Sequence, residues 1–499
     1  MTNSIRSRFG ISLLANLSKA AITFGTGMLV ARGLGPEKYG SMMFLLGTFI
    51  AIRQLLDMGT STAFFTFLSQ RQRTWQYIKF YLAWLLVQFL LPLIVIGLIF
   101  PDAWRELIWK GEQQELVILA FVATFMQSTL WTAILRMGES QRMTYKIQGL
   151  VVLIALAHLL LVLLAWWGGW LEIRSILILI IIEWGIAAAL IMNWLHFPCA
   201  NSNDVTQPKT IFLEFWQYCL PLIPYVWVGF AYEFADRWLI QVYAGSVQQA
   251  YYSVAYQFGA VAAIATSSIL NIFWKEIAEA HHQKNHKRVT LLYAKVTRGL
   301  FFIAASAAGF FAPWSETILQ ITLGPAYIEG GITLAVMLFY TPHQSMGQIG
   351  GTMAYATGRV TPYVRIGIVF MLSSIVISYL ILAPSDALVP GAGMGSLGLA
   401  IKMVALQLVQ VNVLSYYLAR HLEIRFDWLF QPIIILICFV AGFLSFTASN
   451  LFLSTLNSLW PAVLVSLALY LAIMILFVFV SPKLVGLNRR GMFNFLMTS

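Results

Sequence analysis

Ile176-Leu177-Ile178-Leu179-Ile180-Ile181-Ile182 is an unbroken run of branched aliphatic residues. It sits inside an apolar stretch, residues 175–195, of the ~20 residues that one helix needs to cross a bilayer. A barrel of roughly ten-residue strands alternating in polarity does not match runs this long. Working outward in both directions, thirteen more such stretches appear. The predicted spans are 9–31, 41–68, 80–100, 115–135, 147–168, 175–195, 216–243, 249–272, 299–320, 332–356, 364–383, 397–419, 430–450 and 460–480. Over 499 residues the chain is 60% hydrophobic and 10% charged, against about 45–50% apolar and about 25% charged in soluble domains. That composition excludes a water-soluble enzyme, a nucleic-acid-binding domain and a disordered chain. The connections are too short for an extramembrane domain of ~50 residues or more. The expected fold is all-α and polytopic, with about fourteen transmembrane helices.

The net charge is +11, but in a membrane protein its placement says more than its sum. With a cytoplasmic N-terminus, 22 Lys and Arg fall on inner segments and 6 on outer ones (Arg32, Lys38, Arg105, Lys110, Arg174, Lys402), while Lys19, Arg53 and Arg237 lie within spans. Basic residues concentrate on the cytoplasmic side, so both termini are expected there. Tryptophans near the boundaries, such as Trp104, Trp166, Trp194 and Trp460, suit an interfacial belt. Lys19 interrupts the first apolar run and no small-residue cleavage site follows, so that run reads as an uncleaved span. Cys199, Cys219 and Cys438 show no metal or disulfide spacing. The longest expected inner loop, Lys275 to Arg298, holds six basic residues against Glu276 and Glu279. It reads as ordinary positive-inside charge, with partner or anionic-lipid binding as the alternative.

An internal repeat is visible. Leu34-Gly35-Pro36-Glu37-Lys38-Tyr39-Gly40 follows the first span, and Ala244-Gly245-Ser246-Val247-Gln248-Gln249-Ala250-Tyr251 follows the seventh. Each opens a tight turn straight back into the membrane. Six spans per repeat, both starting inside, give two parallel lobes with a cavity between them. The expected division is 1–208, a six-helix lobe; 209–425, a second; and 426–499, two additional helices and a tail.

The quoted turns also resemble a known family. Ala31-Arg32-Gly33-Leu34-Gly35-Pro36 through Tyr39-Gly40 resembles the "AR-x-LGP-x-x-YG" turn of polysaccharide flippases. Leu56-Asp57-Met58-Gly59 is similar to their "LDxG". Leu220-Pro221-Leu222-Ile223-Pro224, Ala235-Asp236-Arg237 and Tyr251-Tyr252-Ser253-Val254-Ala255-Tyr256 are similar to the start of their second half. Leu323-Gly324-Pro325-Ala326-Tyr327 fits a later outer loop. Phe273-Trp274 departs from the pattern, since related chains often carry a proline there. The resemblance is to the polysaccharide-transport branch, Wzx-type O-antigen flippases included, of the multidrug/oligosaccharidyl-lipid/polysaccharide (MOP) superfamily. It implies a twelve-helix core plus two helices, moving lipid-linked sugars by alternating access.

Charges inside spans are the candidate functional residues. Lys19 is about 15 Å from either end of its span, and facing lipid there costs at least ~2.5–3.5 kcal/mol. It should face the protein interior. Arg53 and Asp57 are one turn apart on one helix face, either a self-neutralising pair or a cation offered to substrate. Glu233 and Arg237 have the same spacing with the acid first, and Asp236 points about 100° away. Glu183 has no basic residue within four positions, so it should be protonated or paired across helices. His158 reads as a packed polar residue. Lys19, Arg53 and Arg237 together could offer positive charge to a diphosphate, while Asp57, Glu183, Glu233 and Asp236 are candidates for ion coupling or pairing. The span prolines Pro92, Pro221, Pro224, Pro313 and Pro342 permit bending.

Absences narrow the function. Gly393-Met394-Gly395-Ser396-Leu397-Gly398 fits a dinucleotide pattern but lacks a βαβ setting. No Gly-Lys pair and no Asp-x-Asp occurs, which removes a Walker A loop and weakens a glycosyltransferase reading. No cofactor and no metal site is expected. The expected protein is a multi-pass plasma (inner) membrane flippase for polyprenyl-diphosphate-linked oligosaccharide, an O-antigen or lipopolysaccharide precursor. Its partners would be that substrate, membrane lipids, and the polymerase and glycosyltransferases of the same biosynthesis, with no nucleic acid. The alternatives are a cation-coupled multidrug or small-solute exporter, and a membrane glycosyltransferase or polysaccharide polymerase.

Overall fold

The computed structural model describes residues 5–70, 73, 75–141, 143–195, 207–422, 426–453 and 459–486. Cys199 and the basic residues Arg71, Arg142, Arg425, Arg489 and Arg490 lie outside the described residues. Every regular element described is a helix. In chain order these are α1 (Ile5–Asp57), α2 (Thr60–Gln70), α3 (Trp75–Ile94), α4 (Asp102–Ile108), α5 (Gln114–Thr124) and α6 (Trp131–Ser140). They continue with α7 (Thr144–Trp167), α8 (Ile173–Trp194), α9 (Pro208–Cys219), α10 (Ile223–His282), α11 (His286–Phe311) and α12 (Ser315–Thr322). The last are α13 (Gly331–Leu338), α14 (Tyr340–Ala356), α15 (Val360–Leu382), α16 (Gly395–Leu422), α17 (Phe430–Leu453) and α18 (Leu459–Val480).

Among the described residues ten helices are long and apolar enough to cross a membrane, or eleven if α9 and α10, bent by 63°, count as one span. The sequence leads to a higher number because its turns do not all end helices. α1 has 53 residues and α10 has 60; straight, they would reach roughly 80 and 90 Å. Each is instead bent at one glycine, Gly35 (φ 74°, ψ 168°) and Gly245 (φ 83°, ψ 175°). That backbone region is essentially open to glycine alone. Gly324, in the third similar turn, has φ 94° and ψ 178°. The repeated sequence thus encodes a repeated backbone conformation.

Prolines mark the other irregularities. Pro221 lies at the α9–α10 bend, Pro313 in the 3₁₀ turn before α12, and Pro92 just ahead of a π-helical turn at Val95–Ile99. Each removes a backbone donor from its helix.

The chain forms two compact units, Met1–Ala250 with Ser378–Gly391, and Tyr251–Ile377 with Ala392–Ser499. In the first, Phe49 stacks on Trp109 at 5.4 Å, and the Trp109 indole donates to Thr48 Oγ1 at 3.2 Å. The two repeated turns meet there: the Ser41 and Ser246 hydroxyls are 3.1 Å apart, and a Cβ on Gly40 would fall 1.8 Å from the Ser246 carbonyl oxygen. In the second unit α11 and α17 cross at Gly309 and Gly442, where a Cβ on Gly442 would fall 1.9 Å from the Gly309 carbonyl. Small residues permit such approach between membrane helices. On α18, Leu464, Ile475, Leu476 and Val480 are more than half exposed, as a lipid-facing helix requires.

Candidate functional site

The first unit gathers charge around Arg53. α1 ends at Asp57 because Met58 and Gly59 adopt left-handed backbone, φ 46° and 85°. Across that turn the Asp57 carboxylate accepts from the Ser61 amide (3.0 Å), the Ser61 hydroxyl (2.9 Å) and the Thr60 hydroxyl (3.1 Å). From the end of α1 it satisfies a free amide in the first turn of α2, which explains the Leu-Asp-x-Gly pattern physically. The Arg53–Asp57 ion pair that the spacing permits is not made. Arg53 has no hydrogen bond or ion pair with any described residue, although it feels the charges of Asp57, Arg136 and Glu233. Its side chain lines a narrow cleft with Phe49, Leu56, Gln88, Phe121, Thr124 and Thr129.

The other predicted residues fall in distinct settings. Arg237 reaches Glu233 at 3.7 Å and donates to the Glu233 carbonyl at 3.2 Å. Its guanidinium lies over Gly47 of α1, where a Cβ would come within 2.3 Å of Nε. Asp236 faces elsewhere, 6% exposed, and accepts from the Ser378 hydroxyl. Glu183 is paired across helices: His158 Nδ1 on α7 lies 2.8 and 3.1 Å from its two oxygens. Lys19 is half-buried and has no partner among the described residues. The structure brings Arg53, Asp57, Glu233 and Arg237 into one neighbourhood; it shows no contact that joins Lys19 to them.

Many basic residues counted with the loops lie on helices, Lys402 and Arg136 among them. Lys402, counted as outer, is on α16, 2% exposed, and donates to the Ser374 hydroxyl at 2.9 Å. Arg136, counted as inner, is on α6, donates to the Ser61 carbonyl and stands 5.6 Å over the Phe65 ring. The expected long basic loop is a helical hairpin, since α10 runs to His282 and α11 starts at His286. Charge keeps these turns out of the bilayer without unwinding them. There Arg288 pairs with Glu276, and burial together with Arg359 and His286 holds His281 below the usual histidine value.

Sequence reading missed three features. Arg73 forms a two-pronged pair with Glu214 (2.6 and 3.0 Å) while lying over Tyr77 at 4.7 Å. His158 is the partner of Glu183. Gln88 and Thr124 line the Arg53 cleft. Only the Arg73 pair left a sequence signal, an arginine and a glutamate each beside an apolar run, and nothing in the spacing joins them. Glu112, in the turn before α5, has its carboxyl raised above the usual value by burial, with a Ser41 hydrogen bond offsetting part.

Residues 6–274 match a family described as polysaccharide biosynthesis protein. Among solved structures, the lipid II flippase MurJ in an inward closed conformation aligns with a TM-score of 0.69 at 13% identity, over 93% of this chain and 98% of that one. A multidrug resistance MATE family transporter of the MOP superfamily, inward-facing, gives 0.61 at 15% identity over 81% and 94%. A MOP superfamily transporter from Pyrococcus furiosus, noted for a binding pocket of reverse polarity, gives 0.55 at 13% over 84% and 96%. At these identities the likeness is one of fold. No curated protein matches the chain.

Proposed function

Because the chain belongs to the polysaccharide biosynthesis protein family of the MOP superfamily, we propose that it is a flippase moving polyprenyl-diphosphate-linked oligosaccharide across the plasma membrane by alternating access. The observation that carries this reading is Arg53, an interior guanidinium with no ion-pair partner among the described residues. A diphosphate cannot enter hydrocarbon unassisted, and guanidinium offers it a charged, two-pronged contact. Arg237 and Lys19 are the further cations of this reading, and Asp57, Glu183, Glu233 and Asp236 the carboxylates whose neutralisation would test ion coupling.

The proposed architecture has fourteen spans. It takes the halves of α1 and of α10 as two crossings each, divided at Gly35 and Gly245, and α13 with α14 as one. Two parallel six-helix lobes, 1–208 and 209–425, then precede two helices in 426–499, with both termini cytoplasmic. The equal backbone conformation at the two glycines, 210 residues apart, supports the repeat. Labelling of a cysteine at Glu37 from outside the cell would support the orientation, and labelling only after permeabilisation would reverse it.

Deletion of the gene followed by leaflet-specific labelling of lipid-linked sugars tests the function. Complete repeat units should accumulate on the inner leaflet, as for an O-antigen precursor. Unpolymerised units on the outer leaflet would favour the polymerase reading. An unchanged lipid pool with new drug sensitivity would favour the exporter.

A further inference from the structure

Gln88 on α3 and Thr124 at the end of α5 are each 3% exposed, and neither the Gln88 amide nitrogen nor the Thr124 hydroxyl has a hydrogen-bond partner among the described residues. An unmade buried hydrogen bond costs roughly 1–3 kcal/mol, and inside a bilayer no bulk water relieves it. Other span threonines bond back to a carbonyl one turn earlier, Thr26 to Ile22 and Thr66 to Thr62. Thr124 does not. Directly after it the helix widens into a π-helical turn, Phe125–Leu130, a distortion concentrated at functional sites. Gln88, Thr124 and Arg53 line the same cleft, whose volume of about 10 Å³ suits a single water.

Gln88 and Leu56 also line a second space of about 250 Å³. Its other walls are Leu55, Met58, Trp84, Val87, Leu91 and Trp227, all apolar surface. A narrow cleft bearing Arg53, Gln88, Thr124 and Thr129 thus adjoins a wider apolar crevice, and Leu56 and Gln88 line both.

We infer that the two spaces form one site for an amphiphilic prenyl phosphate ester. One phosphoryl oxygen, close in size to a water, enters the cleft and accepts from Arg53, Gln88 and Thr124, while the apolar chain lies in the crevice. The donors match an acceptor-only group, and the adjoining walls match a hydrocarbon. This assignment rests on the flippase reading and names what grips each end of its substrate.

The test is binding of radiolabelled farnesyl diphosphate to the full chain in nanodiscs of neutral lipid. Gln88→Leu and Thr124→Val should each weaken binding by roughly ten- to a hundred-fold, while Thr124→Ser, which keeps the hydroxyl, should bind like wild type. Leu91→Trp, which fills the crevice, should weaken farnesyl diphosphate and competing farnesol but leave inorganic diphosphate unaffected. Both cleft variants should melt no lower than wild type, because each removes an orphaned polar group. Unchanged binding in the cleft variants would overturn the site. Equal competition by phosphatidylglycerol would also overturn it, making it an ordinary anionic-lipid site. Should the deletion strain trap lipid-linked sugars while these variants bind normally, only this site fails and the flippase reading stands.

Discussion

Arginine within a membrane span is costly, up to about 2.5–3.5 kcal/mol at a helix centre, and Arg53, one turn before the end of α1, has no direct ion pair among the described residues. Arg53→Ala should therefore leave protein levels and melting temperature at or above wild type while reducing sugar-lipid transport at least tenfold. Arg53→Lys should keep part of the activity, since the charge survives but the planar fork does not. Complementation of the deletion strain, with quantified protein in the membrane, checks both. The His158–Glu183 pair behaves oppositely. Glu183 is 8% exposed, so His158→Leu strands a carboxylate and should cost roughly 1–3 kcal/mol, whereas the double variant with Glu183→Leu should recover most of it. A double-mutant cycle on thermal melting reads that coupling. The charges at these sites were legible in the sequence because an ionisable residue stands out in an apolar run. Gln88 and Thr124 were not, because a neutral polar residue in a span is usually satisfied, and only the geometry shows that the Gln88 amide nitrogen and the Thr124 hydroxyl lack partners among the described residues.

At the scale of elements, glycine decides where helices bend and how closely they cross. Gly35→Ala must hold φ 74° with a side chain and should cost on the order of 1–3 kcal/mol. Gly40→Ala would drive a methyl into the Ser246 carbonyl, and Gly442→Ala into that of Gly309. Each should lower stability by about 1–3 kcal/mol, measured as melting in detergent. Glu112 gives a pH signature in the turn before α5. Its raised carboxyl value means that the folded chain binds more protons than the unfolded one above the ordinary value of 4.5. Stability from this group is present below that value and falls as pH rises through the folded value. Glu112→Gln should therefore melt higher than wild type at pH 7 and alike at pH 4. The tight turns were readable from Leu-Gly-Pro and Ala-Gly-Ser. The helical hairpin at 283–285 was not, since a run of basic residues marks exclusion from the bilayer without saying whether the backbone there is helical.

For the whole molecule, hydropathy fixes the class of fold because a bilayer accepts only self-satisfied backbone. The family match and the MurJ-like fold agree with that class. Whether a span is one helix or half of a longer one is settled by single backbone angles, which is why residue patterns and helix counts differ at Gly35 and Gly245. Lys402 shows the matching weakness in charge counting: burial against Ser374 turns an expected loop cation into an interior one. The central claim is that an interior arginine site carries a prenyl diphosphate across the membrane. Its most direct measurement is flipping of a fluorescent prenyl-diphosphate oligosaccharide in vesicles reconstituted with the purified chain, read by a quencher confined to the outside. Wild-type vesicles should exchange label between leaflets, with Arg53→Ala vesicles at the rate of empty ones. Equal exchange in wild-type and empty vesicles, or in wild-type and Arg53→Ala vesicles, would contradict the claim.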